Sequence, residues 1–150
     1  MIQDQTENNE ARRAWLGLMA KADAAALIAA AEPFQTGFEW LRRPEIGGVM
    51  VRGRMGGTGA PFNLGEMTVT RCSLRLASGH VGHGYVQGRN KSAAEAAALV
   101  DALMQGDSAA AVQAAVLEPL GKDAAAKKQQ RTEKAAATKV DFFTMVRGED

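Results

Sequence analysis

Residues 54–91, RMGGTGAPFNLGEMTVTRCSLRLASGHVGHGYVQGRNK, restrict the possible folds more than any other stretch. Two apolar runs flank Ser78-Gly79, and glycine-rich, cationic segments stand at both ends. Ser78-Gly79 is the signature of a two-residue β-hairpin turn. Such a turn sets Leu76 opposite Val81, Leu74 opposite His83 and Cys72 opposite Tyr85, all on one face because strand side chains alternate with period two. If residues 49–54 are the preceding strand of a meander, their exit loop Gly56-Gly57-Thr58-Gly59 lies at the sheet end opposite Ser78-Gly79. The last strand finishes at that same end with Gln87, Gly88, Arg89 and Lys91. The expectation is a common rim where glycine turns and guanidinium groups meet.

The flanking segments read as helices and further strands. Residues 1–8 are polar, and from Asn9 onward Ala11, Trp15, Leu18, Met19 and Ala22 recur at helical spacing, with Asn8 or Asn9 as N-cap. Asp23 caps a short second helix carrying Leu27, Ile28 and Ala31, which Pro33 stops. Phe38 and Trp40 share one parity, Pro44-Glu45 offers a turn, and Val49, Val51 and Met55 alternate with Met50, Arg52 and Arg54, so two strands are expected here. Between Leu64 and Leu76 the apolar parity changes, from Met67 and Val69 to Cys72, Leu74 and Leu76. A bulge near Thr70-Arg71 accounts for the change, and so does a strand covered on both faces.

Ser92 and Glu95 form a capping box, and Ala96, Leu99, Val100, Leu103 and Met104 line one face of a helix that Gly106 stops. Asp107 or Ser108 begins another helix with Val112 and Val116, closed by Pro119, and residues 121–135 read as an exposed helix or linker. The fold class is α+β: an antiparallel sheet of about four strands, a meander packed with N-terminal and C-terminal helices. A single domain covers 1–137, and 138–150 form an extended C-terminal arm.

The balance of 18 Lys and Arg against 17 Asp and Glu gives no global field for nucleic acid, so any anion site has to be local. No apolar run is long enough to span a membrane, and the single cysteine, Cys72, fits a reducing compartment, so a cytoplasmic chain is expected. Gly56-Gly57-Thr58-Gly59 lacks the spacing of a phosphate-binding loop. Two readings remain: a solvated glycine hairpin with a basic edge, or an anion- or partner-binding corner built from its amides with Arg54, Arg71, Arg89 and Lys91. His80 and His83 point to opposite faces of a strand and cannot readily share a metal; His83, across from Leu74, reads as a core or interface histidine. Cys72 reads as inert packing. No zinc cluster, nucleophile motif or pair of carboxylates in the glycine-rich region supports catalysis by this chain. Val140, Phe142, Phe143, Met145 and Val146 crowd apolar side chains into the tail, which either returns to its own domain as a last strand or lies on another subunit.

Taken together, RMGGTG at 54–59, VTRCSLRL at 69–76, GYVQGRNK at 84–91, ALVDALMQ at 98–105 and TKVDFFTMVRG at 138–148 resemble the PhnG family, the G subunit of the bacterial carbon-phosphorus lyase system. The resemblance implies membership of a phosphonate-degrading core complex of four different subunits. Its partners there are the other core subunits, especially a nucleosidase-like one, and an ATP-binding-cassette-type protein. The reaction implied is transfer of an alkylphosphonate onto ribose C1 of ATP with release of adenine, giving ribose 1-methylphosphonate 5-triphosphate. Cleavage of the carbon-phosphorus bond belongs to a different, iron-sulfur radical subunit.

Arg54, Gly56, Gly57, Thr58, Gly59, Gln87, Gly88, Arg89, Asp141, Phe142, Phe143, Arg147 and Gly148 match the family pattern; His80 and His83 do not belong to it. With Met145, the tail residues Asp141, Phe142, Phe143 and Arg147 are the expected interface. No catalytic residue, metal or cofactor is expected on this chain, ATP being a substrate of the complex. Three roles follow: a scaffold subunit, a contributor to a shared active site, or a free-standing anion-binding module.

Overall fold

A computed structural model describes residues 2–140, so the interface expected over 141–150 lies outside the described residues. Helix α1 (Ile2–Ala20) begins well before Asn8 or Asn9, so neither is its cap; residues 6–9 add exposed turns to the helix whose far end carries buried Met19. Asp23 caps helix α2 (Ala24–Ala31) as expected, its carboxylate accepting from the Ala26 amide at 3.0 Å. A single 3-10 turn holding Pro33 then leads into the sheet.

Strands β1 (Phe38–Arg54), β2 (Pro61–Leu76) and β3 (Val81–Gln87) pair as an antiparallel meander in that order. Among the described residues the sheet therefore has three strands, not about four. The difference is Pro44. It does not end a strand, because β1 is an edge strand that absorbs it in a register shift between Arg42 and Glu45, where no outward donor is needed.

The β2–β3 register differs from the expected one by one residue. The Leu76 amide donates to the His80 carbonyl at 3.0 Å and the Gly79 amide to the Leu76 carbonyl at 2.9 Å, so three residues turn the chain, with Gly79 at φ +91°. Ser73 consequently pairs with His83, Cys72 with Gly84 and Arg71 with Tyr85. A slip of one residue exchanges the faces of a strand, so His83 and Tyr85 are exposed while Gly82 and Gly84 point into the core. A Cβ on Gly82 would overlap the carbonyl oxygen of Ala98, and one on Gly84 that of Ala94, both on helix α3 (Lys91–Leu103). The two glycines let an alanine-faced helix lie directly on the strand backbone.

Helix α3 is capped by Asn90, whose side chain accepts from the Ala93 amide at 2.9 Å, two residues ahead of Ser92. The parity change in β2 involves no bulge at Thr70-Arg71: pairing to both neighbours runs through unbroken, and adjacent Val69 and Thr70 are both buried. The strand is covered on both faces at this pair, while farther along Arg71 and Arg75 stand exposed opposite buried Cys72 and Leu74. The β2 bulge lies instead at Leu64, where register shifts between Val51 and Arg52. Helix α4 (Ala109–Val112) passes through a π-helical turn (Gln113–Leu117) into helix α5 (Glu118–Ala137). Pro119 opens that helix and does not close the one before it, since a first-turn residue has no helical acceptor to lose. Beyond Gly121, α5 is exposed.

Candidate functional site

β1 and β2 have 17 and 16 residues, but β3 has only 7, and this inequality decides where the expected site residues fall. Gln87 pairs with Val69 in the middle of β2, and the Gly88 amide donates to the Thr68 carbonyl at 2.9 Å. β2 and β1 continue as a two-stranded ribbon to the Pro61–Arg54 pair, about 23 Å farther along an extended strand. The turn at the tip is a unit of its own: Gly56 and Gly57 have φ of +60° and +83°, and Arg54 Nη1 donates to the Gly59 carbonyl at 3.2 Å. Arg54, Gly56, Gly57, Thr58 and Gly59 thus form one group. Gln87, Gly88, Arg89 and Lys91 form another, beside α3. Arg71 belongs to neither; its Nε stands 3.6 Å from a Glu45 carboxylate oxygen on the sheet surface. The common rim is not formed, because β3 stops short of the tip.

The ribbon is apolar where it leaves the core. Paired residues share a face, so Ile46 opposite Thr70, Gly48 opposite Thr68 and Met50 opposite Glu66 continue the face that holds Cys72 and Leu74 inside. Beyond α3 no described helix lies over this face, and Ile46 and Met50, the latter 57% exposed, stand open on it; past the Leu64 bulge Phe62 pairs with Gly53, so Phe62 and the 66% exposed Leu64 stand open on the opposite face. Arg89 stands at the junction, in a cleft with Gly47, Gly48, Glu66 and Thr68.

The family Phosphonate metabolism protein PhnG matches residues 10–148. The chain belongs to this family. A relative from Rhizobium meliloti (strain 1021), named Alpha-D-ribose 1-methylphosphonate 5-triphosphate synthase subunit PhnG, is 51% identical over 110 residues, which cover 73% of this chain and 70% of the relative. The likeness read from the five segments is therefore family membership across the ribbon, β3, α3 and α5.

Two features of this PhnG-family chain were missed in its sequence. The first is Asp101, fully buried on α3, which accepts from Arg12 and Trp15 of α1 and from the His83 amide of β3. An acid inside an otherwise alanine-rich apolar face was the available signal. The second is a cleft of about 490 Å³ where the ends of α1 and β3 meet α5, lined by Lys21, Gln87, Lys127, Gln130, Arg131 and Lys134. The spacing of 127, 131 and 134 places three cations on one helical face, but nothing in the sequence brings Lys21 to them. The histidines hold local partners, His83 with Ser73 at 2.8 Å and His80 with Ser78 at 3.0 Å, and His83 is not in the core. Burial pushes the Cys72 thiol from 9.0 up to about 11, against a hydrogen bond with the Gly84 backbone and with the Glu95 charge adding to it, so it stays protonated at neutral pH.

Proposed function

We propose that this chain is a subunit of an α-D-ribose 1-methylphosphonate 5-triphosphate synthase, working in the cytoplasm within a carbon-phosphorus lyase core complex. The reading is carried by the 51% identity to a relative that bears that subunit name. In the reaction, a phosphonate oxygen forms a bond to ribose C1 of ATP while the C1–N bond to adenine breaks. Adenine leaves with the bonding electron pair and takes up a proton, and the triphosphate stays on the ribose. The bond-making chemistry lies on partner subunits, chiefly the nucleosidase-like one, with an ATP-binding-cassette-type protein in the same system. This chain binds no cofactor of its own and supplies structure.

The uncovered ribbon supports a scaffold role. Ile46 and Met50 on one face of the ribbon, and Phe62 and Leu64 on the other, leave apolar surface in water on both sides, and each side chain buried against a partner contributes roughly 1.5–3 kcal/mol. The tail, with Asp141, Phe142, Phe143, Met145 and Arg147, is a second docking segment on a neighbouring subunit. Co-expression with the nucleosidase-like subunit tests both. Phe142→Asp or Phe143→Asp abolishes co-purification if the tail docks, and retention of the partner by both variants removes that part of the reading. Arg54, bonded to the glycine turn at the ribbon tip, is the residue with which a shared active site would be contacted. Arg54→Ala or Arg89→Ala should then leave assembly intact and stop adenine release. Unchanged turnover in both leaves the scaffold role alone.

A further inference from the structure

The cleft between α1, β3 and α5 is chemically unlike the rest of the surface. Lys127, Arg131 and Lys134 follow one another on one face of α5, spanning about 10.5 Å of helix axis. Lys21, immediately past the end of α1, faces them across the gap, and Gln87 and Gln130 add neutral amide donors. No carboxylate lines the cleft, and none of its four cations is held in an ion pair among the described residues. Glu133, the nearest acid in sequence, is engaged by Gln129 at 2.9 Å on its own helix. In a chain of net charge +1 this is a local concentration of positive charge, not a share of a general excess.

We propose that this cleft binds a linear oligophosphate, the triphosphate chain of a nucleotide or a sugar triphosphate. The row of cations matches a ligand whose negative charge is itself arranged in a row, so that each phosphate finds its own guanidinium or ammonium partner. Ala124 is the small residue of the lining, and the cleft's volume lies in the range of small-ligand sites. An acidic peptide fits less well. Apart from Ala124 the lining offers no apolar residue, and peptide docking draws most of its affinity from apolar and aromatic anchors. The proposal stands apart from the assembly role, because it concerns what this chain binds and not which subunits it joins.

Lysine footprinting on the full-length chain, read residue by residue by mass spectrometry, tests it whether the chain is free or in a complex. With inorganic tripolyphosphate, acylation of Lys21, Lys127 and Lys134 slows about tenfold, while Lys122 and Lys128, outside the cleft on the same helix, react as before. Orthophosphate at equal total charge does not protect. ATP protecting the same three lysines identifies a nucleotide as one source of the chain; protection by tripolyphosphate alone identifies a ligand without the base. In Arg131→Ala, an exposed and unpaired position, protection falls about tenfold because a charged hydrogen bond is lost. Equal protection of all five lysines, no protection by tripolyphosphate, or an undiminished effect in Arg131→Ala overturns the proposal.

Discussion

Replacing Asp101 with alanine removes a buried carboxylate that fastens α1, β3 and α3 to each other. Oδ1 accepts from Arg12 Nε at 3.0 Å and Trp15 Nε1 at 2.8 Å; Oδ2 accepts from Arg12 Nη2 at 2.7 Å and the His83 amide at 2.8 Å. Breaking a buried ion pair costs about 3–5 kcal/mol when the remaining charge has no escape. Here the Arg12 side chain keeps 31% exposure and still donates to the Val81 carbonyl at 3.2 Å, so water recovers part of the loss. The Trp15 and His83 N–H groups are left without acceptors, each at about 1 kcal/mol. The sum is about 3–4 kcal/mol, or a fall in Tm of roughly 6–15 °C for a chain of this size. Asp101→Asn, which keeps one acceptor oxygen and loses the charge, falls between alanine and the parent. Thermal and urea unfolding of both variants, with Arg12→Ala and the double mutant, give the coupling, expected above about 1 kcal/mol. A loss below 1 kcal/mol for Asp101→Ala, or strictly additive effects of the two single changes, would refute the view that this carboxylate holds the layers together.

Gly84→Ala places a Cβ against the Ala94 carbonyl and 3.0 Å from Cys72 Sγ; the expected cost is about 2–3 kcal/mol by urea unfolding. Gly17→Ala on α1, where nothing lies within 4 Å of the added carbon, should raise stability by up to about 1 kcal/mol. The raised Cys72 thiol makes the unfolded chain the better acid: below pH 9 both states hold the proton, and between pH 9 and about 11 only the unfolded state loses it. The margin of the parent over Cys72→Ala therefore shrinks across that window, by up to roughly 2–3 kcal/mol, and a margin flat in pH would contradict the burial argument. Met50→Asp with Leu64→Asp leaves the unfolding free energy of the free chain within about 0.5 kcal/mol, since both side chains are exposed, but should reduce co-purification with the nucleosidase-like subunit; unaltered recovery removes the ribbon from the interface.

The elements were legible in the sequence wherever a local signal set them. Asp23 before an alanine-rich run, the apolar face of α3 and the meander order all follow from spacing and caps. What failed were the counts of one. Ser78-Gly79 reads as a two-residue turn, but Ala77 joins it, and the extra residue exchanges the sheet faces, moving His83 and Tyr85 outward and Gly84 inward. Proline misled twice for a common reason, that its effect depends on whether its missing N–H was wanted: Pro44 sits on a sheet edge and Pro119 in a first helical turn. The candidate site was legible as sets of residues and not as a place. The tip group and the Arg89 group were each visible, but their separation rests on where β3 ends, and no residue in its sequence says that β2 will continue without it.

That unequal length has a consequence for why such a chain should exist as a subunit. A two-stranded ribbon is marginal in water by itself and needs a third strand or a packed face to be stable. Between Gly48 and Arg54 this chain supplies no third strand from its described residues, yet the ribbon carries exposed apolar side chains on both faces, Met50 on the one that elsewhere is covered by α3 and Phe62 and Leu64 on the other. Gly47, Gly48, Gly53 and Gly65 lower its intrinsic strand propensity further. A ribbon this exposed and this rich in glycine gains its stability by being covered. Amide exchange separates the cases: in the free chain the amides of 48–54 and 61–67 should exchange far faster than those of 70–76, and a partner subunit that docks on the ribbon should slow the first set selectively. Uniformly slow exchange in the isolated chain would mean that the ribbon is self-sufficient, and the physical reason for a partner at that face would be lost.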